Sequence, residues 1–338
     1  MSSNPHHPRS AAVPLTMQRI TLNNGVLRMD VLPELGGKII SLVRIESGHE
    51  YLCQPSSSDG TYRRARYGDP FNAYSSGGFD DCFPTISDCI YPLAPFQGLE
   101  LPDHGELWSV PWEAEAEREV VCLRTRGIRL PYRFSKRLRL DGPELVLDYE
   151  LTNEGKSALD YLWAAHPLLR IEAGDEVILP PEIGDLLIEW SKDDRLGGRG
   201  ETCRWPLARQ RSGAEDDLSR IKPPQSRYAD KLFTPRLRHG YAALYSPRND
   251  EAIVFRFHTE VTPFLGIWLC QGGHSHGHAE GEYAAALEPC SGRSDSLATA
   301  IERRECQSIG AGDTVHWSLR VELRRGRPNL AGDSLRLP

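Results

Sequence analysis

The chain contains no long apolar run. None of its segments approaches the roughly 18 consecutive apolar residues that a membrane-spanning helix needs. The first residues, MSSNPHHPRSAAVP, also lack the apolar core of a secretory signal peptide. We therefore expect a soluble protein of the cytoplasm that makes no contact with a membrane.

An excess of basic residues is also absent. Lys and Arg together number 40 against 47 Asp and Glu, which gives a formal net charge of -7. The basic residues are scattered along the chain, whereas a nucleic-acid-binding surface needs them concentrated in a patch or stripe. The sequence therefore predicts no nucleic-acid partner.

Cysteines at zinc-binding spacing are missing. The chain has eight cysteines, and none forms a C-x-x-C pair. This spacing gives little support to a structural zinc site. Without a secretory signal, cysteines spread over a long chain are expected to be free thiols rather than disulfides.

Short β-strand patterns fill most of the chain. Segments rich in apolar and β-branched residues recur between turn signals, of which Asn23-Asn24-Gly25 and Asp141-Gly142 are the clearest hairpin turns. The predicted strands cover residues 17–22, 26–32, 38–45, 113–117, 120–125, 132–140, 145–151, 159–166, 241–245, 252–258, 264–271, 283–288 and 314–323. Many short strands with antiparallel turns predict an all-β fold, a large antiparallel β-sandwich.

The remaining segments define the boundaries of this domain. Residues 56–79 have neither a strand nor a helix period and predict a long surface excursion, while residues 184–235 are charged and rich in Gly and Pro and predict loops. One helix is predicted over 296–304, with Ser294 or Asp295 as its cap. We expect a disordered tail over 1–15, one domain over 16–325 and a C-terminal tail over 326–338, although length alone also permits two small domains.

The stretch from Leu101 to Trp112, LPDHGELWSVPW, sets a histidine beside two carboxylates and two indoles. Its prolines and glycine predict a loop with short extended pieces. Such a loop suits a sugar site, because pyranose faces stack on aromatic rings while hydroxyls need polar partners. In the alternative interpretation, His104 is a hydrogen-bonded loop residue, and Trp108 and Trp112 are core anchors.

Two further titratable residues stand at predicted strand ends. His166 lies near the end of DYLWAAHPLL, and Glu288 ends the strand of YAAALEPCSG. Together with His104 they form a set sufficient for acid–base chemistry, since one group removes a proton, another donates one and a third stabilises the charge that moves. Each alone has an ordinary structural explanation, so the hypothesis depends on all three.

The order of several motifs resembles that of the aldose 1-epimerase (galactose mutarotase-like) superfamily. The motifs are ELGGKI, GGFDDCFPT, DHGELW, AAHPLL with GDEVILP, YADKLFTPRLRHGYAAL, FLGIWLCQGG and ALEPCSG. The resemblance extends from about Arg19 to Leu323. It implies a large antiparallel β-sandwich and an isomerase that interconverts the α and β anomers of an aldose.

The resemblance also implies roles for the three titratable residues. Glu288 would be the general base that takes the proton of the anomeric hydroxyl, and His166 the general acid that protonates the ring oxygen. His104 matches the family's first active-site histidine and would hydrogen-bond the ring oxygen or a neighbouring hydroxyl. The partner is a small-molecule sugar, and this chemistry needs no cofactor.

Five residues are predicted to bind the substrate. They are Asp80, Asp81, Trp108, Trp268 and Gln271. For the two aspartates, capping of a turn in their Gly-rich surroundings is an equally good interpretation. The resemblance places residues 264–271 along the sugar pocket, whereas the residues on either side of His166 depart from the histidine motif of galactose mutarotases, which leaves the sugar open.

Two alternative functions remain. A hexose-6-phosphate 1-epimerase would need cations to hold the phosphate, and the candidates are Arg63, Arg64, Arg66 and Arg293. A non-catalytic carbohydrate-binding or regulatory protein could share the same fold, because a fold does not fix a function. Retention of both histidines and of Glu288 favours the epimerase over this last alternative.

A histidine tract offers a competing signal. His274, His276 and His278 are spaced by two residues, and such tracts can bind transition metals. No carboxylate or cysteine spacing completes a tetrahedral site with them. We therefore predict no functional metal site.

Overall fold

Antiparallel β-strands make up most of the computed structural model, which describes residues 17–55, 61–74, 77–274 and 281–330. This confirms the predicted all-β class. The strands are β1 (Ile20–Asn23), β2 (Leu27–Leu32), β3 (Lys38–Arg44), β4 (His49–Glu50), β5 (Phe79–Cys82), β6 (Cys89–Ile90), β7 (Glu100–Leu101), β8 (Glu113–Glu117), β9 (Val120–Arg126), β10 (Tyr132–Asp141), β11 (Glu144–Asn153), β12 (Leu159–Tyr161), β13 (Ala164–Pro167), β14 (Glu176–Ile178), β15 (Asp185–Ser191), β16 (Thr202–Arg204), β17 (Leu207–Arg209), β18 (Glu215–Asp217), β19 (Tyr228–Phe233), β20 (Tyr241–Ser246), β21 (Glu251–Phe257), β22 (Phe264–Gln271), β23 (Tyr283–Cys290), β24 (Gln307–Ile309) and β25 (Thr314–Arg325). The helical elements are α1 (Phe71–Tyr74), α2 (Leu297–Arg303) and the 3-10 turns Lys192–Asp194 and Pro224–Ser226.

Two large sheets form the sandwich. The larger has eleven strands in the order β1-β2-β3-β5-β13-β23-β22-β19-β15-β16, with β4 paired to β3. The second has eight strands in the order β14-β20-β21-β25-β11-β10-β9-β8. Adjacent strands in both sheets are antiparallel, so each sheet presents alternate residues to its two faces.

The main core lies between the two sheets. On β22, Leu265, Ile267 and Leu269 belong to the same buried cluster as Phe134 and Trp317 of the smaller sheet. Burial of these apolar side chains removes them from water, which is the main stabilising contribution to such a sandwich. The residues that alternate with them on β22 face the opposite side of the large sheet, and the cavity described below lies on that side.

The structure confirms both predicted hairpins. β1 and β2 pair on either side of Asn24 and Gly25, where Gly25 has a φ of 83°. The Asn24 side chain accepts hydrogen bonds from the backbone N–H groups of Val26 and Leu27, which holds the turn. β10 and β11 pair around Gly142, whose φ is 53°.

The prediction of loops over residues 184–235 is wrong. This segment supplies β15 to β19, and β15 and β19 are inner or near-edge strands of the large sheet. Its charged residues are buried in ion pairs, because Arg195 contacts both Asp216 and Asp230 and their side chains are at most 8% exposed. In a buried ion pair, the opposite charge replaces water as the partner of each charged group. A segment with many charged residues can therefore form buried strands, although its composition predicts loops.

Two smaller predictions also need correction. Residues 159–166 do not form one strand, because β12 leaves to pair with β24 and the chain re-enters the large sheet as β13. Between them, the backbone N–H of Trp163 donates to the Ser291 hydroxyl at 2.7 Å instead of to a neighbouring strand. The helix cap is Ser296, whose hydroxyl accepts a hydrogen bond from the N–H of Thr299, and not Ser294 or Asp295.

The structure also bears on the predictions for the two chain ends and for the cysteines. The predicted tail over 1–15 lies outside the described residues, as do residues 331–338. Leu330 is still buried, in a cluster with Tyr241, so the chain packs on the second sheet beyond the end of β25. All eight cysteines are free, as predicted. In the described part of the chain, no helix is both long enough and apolar enough to cross a membrane.

Glu106 fixes the loop that carries His104. Its carboxylate is 1% exposed and accepts hydrogen bonds from the Tyr132 hydroxyl at 2.9 Å and from the backbone N–H groups of Ile128 and Arg129. A buried carboxylate that accepts several hydrogen bonds compensates for its lost hydration. The side chain thereby ties the loop to the segment before β10.

Replacing Glu106 with Ala should destabilise the fold by about 3 kcal/mol or more, because buried donors would lose their acceptor. Chemical denaturation of the purified variant measures this difference. Glu119→Ala is the matched control, since Glu119 is exposed and its loss should change the free energy of unfolding by about 0.5 kcal/mol or less. Equal destabilisation by the two substitutions would contradict this role of Glu106.

Candidate functional site

A cavity of about 300 Å³ opens on the outer face of the large sheet. It lies on the side of β22 that carries Gly266 and Trp268, away from the main core. This volume is at the small end of the roughly 300–1,000 Å³ typical of small-molecule sites. The lining residues that matter most for chemistry are Asp103, His104, His166, Lys231, Trp268 and Asp295.

Strand register brings His166 and Glu288 together. Ala164 of β13 pairs with Cys290 of β23, so two residues further on His166 lies opposite Glu288. His166 Nε2 is 3.8 Å from Glu288 Oε1, which is too far for a direct hydrogen bond. Among the described residues, Glu288 Oε1 has no hydrogen-bond partner. The two groups therefore lie close together without a direct hydrogen bond; His166 lines the cavity, and Glu288 is fully buried beside it.

A glycine makes room for the Glu288 carboxylate. Gly266 of β22 pairs with Glu288, and a methyl group on Gly266 would lie 2.9 Å from Glu288 Oε2. Any side chain at that position would push against the carboxylate. Gly266, the first glycine of FLGIWLCQGG, thus allows the close approach of the Glu288 carboxylate and does not form a turn.

His104 is held by three neighbours. Its Nδ1 lies 2.7 Å from Asp103 Oδ1, and the Phe71 ring stacks on the imidazole with centroids 3.7 Å apart. The His166 ring meets His104 edge-on, at a centroid distance of 5.2 Å. Because Asp103 accepts from Nδ1, the other ring nitrogen, Nε2, is the one left for a ligand. His104 has a φ of 57°, and a methyl group on the following Gly105 would lie 2.1 Å from the Phe83 carbonyl oxygen.

Lys231 reaches the cavity from β19. Its ammonium donates a hydrogen bond to Glu288 Oε2 and lies 3.5 Å from Asp295 Oδ1. The side chain is 7% exposed. An ammonium in contact with two carboxylates this deep in the protein balances part of their charge.

Burial and charge shift the protonation of this group. Burial raises the pKa of Glu288, against the opposing effect of the Lys231 ammonium. Burial lowers the pKa of His166 well below its usual range, and His104, Lys231 and Lys38 lower it further. Burial raises the pKa of Asp103, but the hydrogen bond and charge of His104, together with hydrogen bonds from the backbone N–H groups of Phe71 and His104, lower it overall. The pKa values of Glu288 and His166 are thus drawn toward each other.

Aromatic rings form one wall of the cavity mouth. Trp190 and Trp268 lie with ring centroids 5.9 Å apart, and His274 packs edge-on against both. Trp190 is 40% exposed and Trp268 is half-buried. Flat, partly exposed indoles offer a stacking surface for an apolar face of a ligand.

Two predicted substrate-binding residues are paired with lysines instead. Asp80 forms an ion pair with Lys38 at 2.8 Å, and Asp81 forms one with Lys136 at 2.8 Å. All four side chains are 1% exposed. Asp81 lies between the two sheets, because Lys136 belongs to β10 of the smaller one. Neither aspartate lines the cavity.

Trp108 and Gln271 also lie outside the cavity lining. Trp108 is 1% exposed, and its indole N–H donates to the Asp103 carbonyl at 3.0 Å. This placement agrees with the alternative interpretation of Trp108 as a core anchor, and it supports the backbone beside His104. Gln271 accepts a hydrogen bond from the backbone N–H of Lys222, and its side chain is 3% exposed. Of the five predicted binding residues, Trp268 lines the cavity.

Several residues that line the cavity were not predicted from the sequence as site residues, and four of them matter most for the chemistry. They are Asp103, Trp190, Lys231 and Asp295. Asp103 stands next to His104 in the motif already singled out, so the neighbouring carboxylate was a usable signal. Trp190 and Lys231 lie in the segment predicted as loops, and only the strand pairing of β15 with β19 shows that they share a face.

Metal binding receives no support from the described residues, which contain no group of three or more His, Cys, Asp or Glu side chains placed to hold an ion. Of the predicted tract, His274 packs against the two tryptophans of the mouth. His276 and His278 lie outside the described residues.

Comparison with known proteins relates the chain to others by fold. A family model described as a domain of unknown function, DUF5107, matches residues 7–98. No curated protein sequence matches the chain. The solved structure of Slr1438 from Synechocystis sp. PCC 6803 superposes with a TM-score of 0.68 at 15% identity, covering 94% of this chain and 100% of that one.

Two further structures carry names that bear on function. A protein from Escherichia coli K12 proposed to be an aldose 1-epimerase superposes with a TM-score of 0.65 at 17% identity, covering 92% of this chain and 100% of that one. A galactose mutarotase-like protein from Lactobacillus casei ATCC 334 gives a TM-score of 0.61 at 18% identity, covering 91% and 100%. At these identities the likeness shows the fold, a galactose mutarotase-like sandwich.

Trp108, which is buried, and Trp268, which is half-buried, should respond differently to substitution. Trp108→Phe should lower the free energy of unfolding by roughly 1–3 kcal/mol, because a core contact and a hydrogen bond are lost. Trp268→Phe should leave stability nearly unchanged and weaken sugar binding severalfold, because a stacking face shrinks. Denaturation curves and calorimetric sugar titrations of both variants measure these effects. Weakened binding by Trp108→Phe alone would contradict the placement of the mouth.

Proposed function

We propose that the protein is an aldose 1-epimerase, a mutarotase that interconverts sugar anomers by opening and reclosing the ring. The observation that carries the proposal is the separation of 3.8 Å between Glu288 Oε1 and Nε2 of His166, a residue that lines a cavity of about 300 Å³. The anomeric hydroxyl and the ring oxygen are bonded to the same carbon, so one pair of facing groups can reach both. The resemblance in sequence and the shared fold support the same chemistry.

Ring opening needs one proton removed and one delivered. Glu288 Oε1 takes the proton of the anomeric hydroxyl while His166 donates one to the ring oxygen, and the open aldehyde results. Rotation about the bond between C1 and C2 exposes the other carbonyl face, and the reverse transfers close the ring. The pair of Glu288 and His166 holds one proton throughout. Acid and base therefore exchange roles, and closer pKa values make that exchange easier.

The other cavity groups orient the sugar. With its Nδ1 hydrogen-bonded to Asp103, His104 presents Nε2 to a sugar hydroxyl. Trp268 and Trp190 supply the surface on which the apolar face of a pyranose stacks. Together these contacts fix the ring so that C1 faces the acid–base pair.

The charges of the lining favour an unphosphorylated aldose over the hexose-6-phosphate alternative. Asp103, Glu282 and Asp295 line the cavity, whereas none of the described lining residues is an arginine. Of the arginines considered for a phosphate, Arg64 pairs with Glu34 and Arg293 lies 3.6 Å from Glu305. The lysine of the lining, Lys231, is already paired with Glu288 and Asp295, and a phosphate would also meet the carboxylates of the lining.

Anomer exchange measured by NMR tests the proposal directly. The purified protein is added to a panel of aldoses at equilibrium, and saturation transfer between the two anomeric protons gives the catalysed rate. We expect acceleration for at least one unphosphorylated aldose and less for its 6-phosphate. Sugar binding without any acceleration would instead indicate the non-catalytic carbohydrate-binding function.

Glu288→Gln should retain the fold and lose at least about 100-fold in the rate of anomer exchange, because an amide cannot accept the proton. Lys231 keeps Asp295 as a charged neighbour at 3.5 Å in this variant, and the glutamine carbonyl can still accept its hydrogen bond. Exchange rate and melting temperature are measured on the same preparation. Near-wild-type exchange would remove Glu288 from the role of base.

The rate of exchange should depend on pH as a narrow bell with its maximum on the acid side of neutrality. Its low-pH limb reports a second proton on the pair, and the raised pKa of Glu288 moves that limb upward. Its high-pH limb reports loss of the last proton, and the lowered pKa of His166 moves that limb downward. His166→Asn should slow exchange strongly and abolish the high-pH limb. An unchanged profile in that variant would exclude His166 as the acid.

A further inference from the structure

Lys231 approaches the base diagonally across the sheet. Lys231 of β19 pairs with Trp268 of β22, while Glu288 of β23 pairs with Gly266 of the same strand. The ammonium of the lysine therefore reaches Glu288 Oε2 across the intervening strand β22. A larger residue at 266 would collide with the carboxylate.

This contact leaves the two carboxylate oxygens with different surroundings. Oε2 accepts from the Lys231 ammonium, whereas Oε1 lies 3.8 Å from His166 Nε2 and has no hydrogen-bond partner among the described residues. A carboxylate held at one oxygen cannot rotate freely about its last bond. The oxygen that remains, Oε1, is the one on the side of His166, and His166 lines the cavity.

We propose that Lys231 is a positioning residue for the reaction, which holds Oε2 of Glu288 so that Oε1 meets the anomeric hydroxyl. This role rests on the proposed epimerase function. Lys231 acts through Glu288 and not on the reacting atoms. The motif that contains Glu288, ALEPCSG, gives no sign of this role of Lys231, because the lysine lies on another strand.

The charge of Lys231 supports the same role. It lowers the pKa of Glu288 and of His166, while Asp295 raises that of Glu288. The ionisable groups that act on the pair from the surrounding elements are Lys38, Cys82, His104, Lys231, Cys290 and Asp295. Removal of the ammonium should therefore raise both pKa values and move the window in which the pair holds one proton to higher pH.

Lys231→Met tests the proposal, because methionine keeps much of the shape and loses the charge. We expect kcat for anomer exchange to fall about 10- to 100-fold with little change in KM, since the base is misplaced after the sugar has bound. The pH of maximal rate should rise. A variant that is less stable but has wild-type kcat and pH profile would overturn the proposal.

Two companion variants separate this role from loss of a buried ion pair. Lys136→Met also breaks a buried lysine–aspartate pair, at 2.8 Å to Asp81, but outside the cavity. It should lower the melting temperature and leave the pH profile unmoved. Asp295→Asn removes a carboxylate beside Lys231 and should shift the low-pH limb downward, opposite to Lys231→Met. Shifts in the same direction for both cavity variants would contradict the electrostatic assignment.

An NMR titration of the His166 ring decides the matter independently of turnover. Its pKa should be higher in Lys231→Met than in the wild type and the same in Lys136→Met as in the wild type. If no aldose is turned over by the wild type, the proposed function fails. The titration still tests whether Lys231 sets the charge of the pair, and an unshifted His166 pKa in Lys231→Met overturns that role.

Discussion

The site depends on the antiparallel register of three neighbouring strands, β13, β23 and β22. That register sets His166 opposite Glu288 and Glu288 opposite Gly266. A slip of one residue would turn Glu288 toward the main core, where a carboxylate would have no compensating partner. Leu265 and Ile267 on β22 oppose such a slip, because it would carry them out of the core. The apolar packing between the sheets thus holds the polar geometry on the outer face.

Three buried lysine–carboxylate pairs in the described structure serve different purposes. The pairs Lys38–Asp80 and Lys136–Asp81 are enclosed, with side chains that are 1% exposed. Each of these pairs joins two β-strands. Glu288 and its lysine, Lys231, are equally paired, but Asp295 and the cavity lie next to them. Burial of a charged pair costs desolvation whatever its role. Contact with a cavity, and not the ion pair itself, therefore separates a group available for chemistry from one that stabilises the fold.

The sequence predicted the fold and the proximity of His104, His166 and Glu288 better than it predicted the residues that line the cavity. Alternation and turn residues predicted the strands, and motif order pointed to Glu288 and both histidines, which the structure places in or beside one cavity. Asp81 and Gln271 were predicted as pocket residues because they are polar and belong to sequence motifs of the resemblance. Which face of a strand such residues occupy depends on register and on buried partners such as Lys136, and neither is local in sequence. Lys231 was missed for the same reason, because its stretch has the composition of a loop while its charges are paired inside the protein.

The fold alone does not separate an epimerase from a sugar-binding relative, because both need a cavity and a stacking surface. The distinguishing feature is the unequal use of the two Glu288 oxygens. A residue that only bound a sugar hydroxyl would work as well with either oxygen and would gain nothing from a raised pKa. A base needs one oxygen kept without a partner, an acid within reach and a pKa closer to that of the acid. Glu288 meets these three conditions. The Lys231 contact occupies the other oxygen, His166 is the acid within reach, and burial raises the pKa of Glu288. This arrangement costs desolvation energy that hydroxyl binding does not require, which favours catalysis as the reason for it.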